Sequence, residues 1–127
     1  MHILIVDDKL TVRESIAALI SKQGFTFEYA INGLDALNKA KDQVFELYII
    51  DHLMPIMNGI KLVHNLRSNA VTKNIPILFM STQDISQVTC KVADKSFDSI
   101  IAKPLDPKLL SQEINQLLLA NSMLHSL

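Results

Sequence analysis

The chain holds a single cysteine, Cys90, among 127 residues. No internal disulfide can form. With no leader sequence in view, the expectation is a protein of the reducing cytoplasm. Long apolar runs are lacking. The segment that follows Met1-His2 is only strand-length, too short for a signal-peptide core or a membrane span. An excess of one charge is lacking too. The formal net charge is -1, so nothing global favours nucleic acid or an anionic membrane. There is no basic face and no helix-turn-helix pattern, which removes direct DNA binding from the expectations. Gly-x-Ser-x-Gly is missing, and the four histidines show no metal-ligand spacing. Repeats and low-complexity segments are missing as well. The length that remains suits one domain with a sizeable core.

What the chain does have is a set of apolar runs that end in reactive groups. Leu47-Tyr48-Ile49-Ile50 reads as a buried strand and runs into Asp51-His52-Leu53-Met54-Pro55-Ile56-Met57-Asn58-Gly59. Ile3-Leu4-Ile5-Val6 ends in Asp7-Asp8, and Pro76-Ile77-Leu78-Phe79-Met80 ends in Ser81. Ser99-Ile100-Ile101-Ala102 ends in Lys103-Pro104. Four strands thus terminate in acid, acid, hydroxyl and amine. In an open α/β sheet the carboxyl ends of the strands are where ligands bind.

Strands are predicted over 2–7, 26–30, 46–51, 76–81 and 98–102. Helical patterns lie between them. Val12, Ile16, Leu19 and Ile20 follow a helical period over 10–23, and Gly24 suits the left-handed cap. Leu34, Leu37 and Ala40 mark a helix over 33–42, and Ile60, Leu62, Val63 and Leu66 one over 58–68. A fourth helix is predicted from Asp84, with Ile85, Val88 and Val92 on one face. A fifth opens at Asp106-Pro107 and carries Leu109, Leu110, Ile114, Leu117 and Leu118. Strict β-α alternation predicts a doubly wound parallel sheet with helices on both faces.

In order, Asp7-Asp8, Asn32-Gly33-Leu34-Asp35-Ala36-Leu37, Asp51-x-x-Met54-Pro55-x-Met57-Asn58-Gly59, Ser81 and Lys103-Pro104 resemble a response regulator receiver domain of the two-component systems, similar to the stand-alone chemotaxis type. The resemblance covers residues 1–121 and leaves 122–127 as a C-terminal tail. It implies a flavodoxin-like three-layer sandwich with strand order 2-1-3-4-5. It also implies phosphorylation of Asp51 by a histidine kinase or histidine phosphotransfer protein. Such a domain is not a conventional enzyme, since it catalyses only its own phosphoryl transfer and dephosphorylation.

The residue types fit that chemistry. A carboxylate can attack phosphorus and form an acyl phosphate. Phosphoryl transfer then needs positioning and charge neutralisation. Three carboxylates brought together repel one another unless a cation sits among them, and oxygen donors suit Mg²⁺. By the resemblance, Asp8 and Asp51 are direct ligands, Asp7 acts through water, and the backbone carbonyl of Leu53 is a further ligand. Lys103 at an apolar strand end needs an anionic partner, and the acid cluster is the evident one. The resemblance gives Lys103 and Ser81 the phosphoryl oxygens, and makes the Lys103-Pro104 bond cis. Ser81 is preferred to Thr82 because the run from Ile77 to Met80 is unbroken up to it.

Two positions depart from the pattern. Receivers typically carry Tyr or Phe three residues before the lysine, where this chain has Ile100, stiff and without a polar tip. A weaker readout is expected there, with the signal carried by the loop after the fourth strand or by another surface. His52, beside the site, is expected to be a half-exposed histidine without a role. Leu53 and Gln83 flank the mouth by the resemblance, and neither supplies a general base, so slow self-dephosphorylation is expected. With no effector segment after residue 127, output is expected through an unknown downstream protein. Leu119, Met123, Leu124 and Leu127 offer either an apolar contact surface for a homodimer or packing against the chain's own sheet. Other classes fit poorly. A phosphohydrolase of this topology needs Asp-x-Asp after its first strand, and Asp7-Asp8-Lys9 fails it. A flavin carrier needs a hydroxyl- and Gly-rich loop where Lys9-Leu10-Thr11-Val12 stands. The alternative kept is a receiver fold that binds partners without phosphorylation.

Overall fold

The computed structural model of the chain describes residues 1–82 and 97–125, with side chains through residue 120. The helix expected from Asp84, Gln83, Cys90 and the side chains of Met123, Leu124 and Leu127 lie outside the described residues. Five strands form one parallel sheet: β1 (His2–Val6), β2 (Thr26–Ala30), β3 (Leu47–Asp51), β4 (Ile77–Ser81) and β5 (Ser99–Ala102). Their order is β2-β1-β3-β4-β5. The described helices are α1 (Leu10–Lys22), α2 (Gly33–Asp42), α3 (Gly59–Ser68) and a C-terminal helix, Pro107–His125. Strands and helices fall within a residue or so of their predicted limits.

The alternation of side chains along each strand sorts the core into two layers. Leu4, Val6, Tyr48, Ile50, Ile77 and Phe79 point to the side where Ala36, Ala40, Leu62, Val63 and Leu66 of α2 and α3 cover them. Ile3, Ile5, Leu47, Ile49, Leu78, Met80 and Ile101 point to the other side, under Ile16 and Ile20 of α1 and Leu110, Ile114 and Leu118 of the C-terminal helix. Every residue of β3 is buried. A central parallel strand is covered on both faces, so its sequence reads as one apolar run rather than an alternation.

Helix starts are fixed by local chemistry. Asn32 Oδ1 accepts from Asp35 N–H at 2.8 Å, and Asp35 Oδ2 accepts from Ile31 N–H at 3.1 Å. Asn58 Oδ1 accepts from Lys61 N–H at 3.0 Å. The two asparagines satisfy donors that a helix leaves open at its first turn, and Asp35 ties back the residue before the cap. Gly24 takes φ 82 after α1, as expected. Two residues of the predicted helical patterns lie off the core. Leu34 and Leu109 are exposed. Each neighbours a buried residue of the same turn, Gly33 and Leu110, so helical rotation carries it off the face that meets the sheet. Ala36 takes the buried place in α2.

Candidate functional site

The carboxyl ends of β1, β3 and β5 bring three charged groups onto one side of the sheet. The β1–β3 register pairs Val6 with Ile50, so one further step sets Asp7 opposite Asp51. Asp7 is fully buried and Asp51 is 3% exposed. Lys103 Nζ bridges them, 2.8 Å from Asp7 Oδ2 and 2.9 Å from Asp51 Oδ1. The Lys103-Pro104 peptide is cis. Asp7 Oδ1 accepts from Lys9 N–H at 2.9 Å. Asp51 Oδ2 is buried and has no hydrogen-bond partner among the described residues.

Asp8 is exposed and completes the cluster, in which Asp7, Asp8 and Asp51 each offer an oxygen within 4.8 Å of the others. Three carboxylates against one ammonium leave a local excess of negative charge. An unpartnered buried oxygen beside an exposed acid is a donor set that fits a hard divalent cation. Burial pushes the Asp51 carboxyl above its ordinary value; the Lys103 hydrogen bond opposes this and the charge of Asp7 adds to it. Burial alone would lower the Lys103 ammonium, but hydrogen bonds to Asp7 and Asp51 outweigh it and hold Lys103 above its usual value. For the lysine the ion pairs win, whereas for Asp51 desolvation wins.

The loop after β3 is tightly tied. Gly59 N–H donates to His52 O at 2.8 Å, and Met57 N–H donates to Pro55 O at 2.7 Å across Ile56, whose φ is 70. A β-branched residue in that region is strained. Gly59 is required by space: a Cβ there would lie 2.2 Å from the Asp51 carbonyl oxygen. Gly33 N–H donates to Met57 O at 3.1 Å, which joins the loops after β2 and β3. Leu53 is half exposed at the mouth. From Lys103 and Pro104 an apolar cleft of about 290 Å³ runs between α1 and the C-terminal helix.

Ser81 ends β4 at 1% exposure, while Thr82 is exposed. One expectation fails clearly. His52 is not half exposed: it is 3% exposed. Its Nδ1 lies 3.2 Å from Ser81 Oγ, and its ring centroid lies 5.6 Å from that of Phe79. Position 52 continues the parity of Tyr48 and Ile50, so it faces the α2/α3 layer and not the solvent. That parity was the available signal. Sequence reasoning also missed Arg13, whose Nη1 donates to Asp7 O at 2.8 Å and whose guanidinium lies 5.5 Å from the centre of the Tyr29 ring. Only the turn of α1 back over β1 brings it there. Ile100 pairs with Phe79 in register and packs, partly buried, against the α2/α3 layer.

Known proteins resemble this chain. The family model described as "Response regulator receiver domain" matches residues 3–115. The chain is 32% identical to the probable transcriptional regulator ycf29 of Pyropia yezoensis over 91% of its own length, and spans 52% of that protein. It thus covers about half of a longer relative. It is 33% identical to protein PilH of Pseudomonas aeruginosa, covering 92% of this chain and 97% of that one. Among solved structures, chemotaxis protein CheY4 of Vibrio cholerae superposes with a TM-score of 0.85 at 27% identity, over 91% of this chain and 97% of that one. A buried acid at the end of the central strand, a lysine bridging it to the acid of β1, and a family match along nearly the whole sheet lead to one conclusion: the chain belongs to the receiver domain family of response regulators.

Proposed function

We propose that residues 1–121 act as a phosphoacceptor in a phosphorelay, taking a phosphoryl group onto Asp51 from a phosphohistidine of a histidine kinase or phosphotransfer protein. The observation that carries this reading is the Lys103 ammonium held between Asp7 and Asp51, with the second Asp51 oxygen buried and unpartnered. In that reaction a P–O bond forms at the Asp51 carboxylate as the donor's P–N bond breaks. Lys103 turns from Asp51 to a phosphoryl oxygen while keeping Asp7. Ser81, at the adjacent strand end, donates to another. Asp7, Asp8, Asp51 and the Leu53 carbonyl would hold Mg²⁺, which supplies neutralisation of the phosphoryl charge when bound. The output is phosphorylation-dependent binding of a downstream protein, in the cytoplasm and without direct DNA contact. No helix of the described residues is long and apolar enough to cross a membrane. Leu119 is exposed and is the described part of the surface on which a homodimer would form.

Incubation with a small phosphodonor and Mg²⁺ tests the reading. One phosphoryl group should appear by mass spectrometry, on the peptide that holds Asp51, and Asp51→Asn should abolish it. A phosphate on Asp7, Asp8 or Ser81 would refute the assignment. No modification at all, with partner binding intact, would favour the phosphorylation-independent interaction module. Leu53 offers an apolar cover and no group to orient a water, so the phosphoryl group should be long-lived, and Leu53→Asn should shorten its lifetime after donor removal.

A further inference from the structure

His52 is a buried polar side chain beside the site that the acceptor chemistry leaves unused. Its main chain is pinned on both sides: its N–H donates to Met80 O at 2.9 Å, and its carbonyl accepts from Gly59 N–H at 2.8 Å. Ser81 is pinned as well, since its carbonyl accepts from Lys103 N–H at 2.9 Å. Only side-chain torsions remain to adjust the 3.2 Å contact between His52 Nδ1 and Ser81 Oγ. The imidazole is seated against Phe79, which in turn stacks on Phe97 with centroids 5.2 Å apart.

A serine hydroxyl has one proton and two lone pairs, while a neutral imidazole nitrogen is either a donor or an acceptor. A phosphoryl group offers Ser81 only acceptor oxygens. The single Ser81 proton must therefore go to the phosphoryl oxygen. His52 keeps its bond to Ser81 in that state only by donating from Nδ1–H into a serine lone pair. The geometry points to His52 as the positioning residue of Ser81: as an Nδ1–H donor it holds the hydroxyl so that its one proton faces the phosphoryl group on Asp51. This rests on the phosphoacceptor reading above. The opposite tautomer, with Nδ1 bare, takes the Ser81 proton and competes with the phosphoryl group.

The test is titration of the Mg²⁺-loaded protein with beryllofluoride, a stable phosphoryl mimic, followed by ¹⁵N NMR. His52→Leu should bind the mimic about 3- to 10-fold more weakly, the factor set by one net hydrogen bond. His52→Gln, which keeps an N–H donor, should recover most of that loss. In a Ser81→Ala background His52→Leu should change nothing, which a merely structural role would not produce. In the wild-type complex the Nδ1 resonance of His52 should be that of a protonated nitrogen, a reading that needs no variant to fold. Equal or tighter binding by His52→Leu, or a bare Nδ1 in the complex, overturns the inference. A wild type that takes up no beryllofluoride overturns the phosphoacceptor reading itself, and the inference with it.

Discussion

The two faces of the sheet divide the work. The face under α1 and the C-terminal helix has a buried strand core of isoleucine, leucine and methionine, with the rings of Phe27 and Tyr29 only at its β2 edge, and it ends in Asp7, Asp51 and Lys103. The face under α2 and α3 holds the ring contacts His2–Phe45, Phe45–Tyr48, His52–Phe79 and Phe79–Phe97, and its strands lead to Asp8, His52 and Ser81. The buried fixed charge is on the aliphatic face, while Asp8 on the other is exposed. The neutral hydrogen-bonding groups, whose protons and rotamers can be redirected, are on the aromatic face. A buried ion pair tolerates little slack, because a shift of an ångström leaves a charge desolvated and unpaired. A hydroxyl and an imidazole exchange partners at the scale of single hydrogen bonds. The same five strands therefore end in a tightly paired charge cluster on one side and in redirectable hydrogen-bonding groups on the other.

The comparison breaks hardest at Lys103. Lys103→Met leaves Asp7 and Asp51 buried with their shared cation gone, and should destabilise the fold by about 3–5 kcal/mol, the cost of breaking a buried pair from one side. Urea denaturation measures it, and a loss below about 1 kcal/mol would show that water reaches these acids freely. Lys103 is held above its ordinary value of 10.5. Its contribution is thus complete through neutral pH and fades only as the pH climbs through the raised folded value.

Next in size is the response to Mg²⁺. Binding to the folded state alone stabilises by about 2.7 kcal/mol at roughly 100 times the dissociation constant. Thermal melts should rise with Mg²⁺ in wild type and barely move in Asp8→Ala, although Asp8 is the exposed member of the cluster. Equal responses would remove the cation from this site.

A smaller effect of opposite sign is expected at Asp51 itself. Its carboxyl is raised, mainly by burial, so the fold favours the protonated form. That advantage is complete below the unfolded value and is lost as pH rises through the folded one. Ionised Asp51 therefore costs stability at neutral pH. In metal-free buffer Asp51→Asn should stabilise by on the order of 1 kcal/mol, and the gain should vanish in acid, where wild type is neutral too. A destabilised mutant at neutral pH would mean that the Lys103 pair outweighs desolvation.

The smallest effect sharpens the contrast. Phe79→Leu, on the aromatic face, should cost about 1 kcal/mol and leave the yield of phosphoryl-Asp51 unchanged, while the His52 ring resonances move. A lost yield would show that the two faces are not separable.

Much of the site was legible because strand ends announce themselves. Asp7, Asp51 and Ser81 each close an apolar run, and the need of Lys103 for an anionic partner follows from its place after Ser99-Ile100-Ile101-Ala102. Strand order was not legible from periodicity, which is local, and came from the likeness of motifs. His52 was misjudged because the apolar run stops at Asp51, and a polar residue beyond it reads as loop. Its backbone still follows the strand parity, pinned by Met80 and Gly59. Arg13 was missed because its partner is a backbone carbonyl, to which no residue type points.

By itself the sequence determined the described elements and which groups stand at the mouths of strands. These depend on neighbours a few residues away, through side-chain period, turn sterics and helix-end hydrogen bonds. Only the tertiary structure decided which of those groups meet. Lys103 reaches Asp7 across 96 positions of chain, and His52 reaches Ser81 across 29. Such contacts follow from the parallel register of β1, β3, β4 and β5, which is set when both faces of the sheet are buried together and not by any local segment.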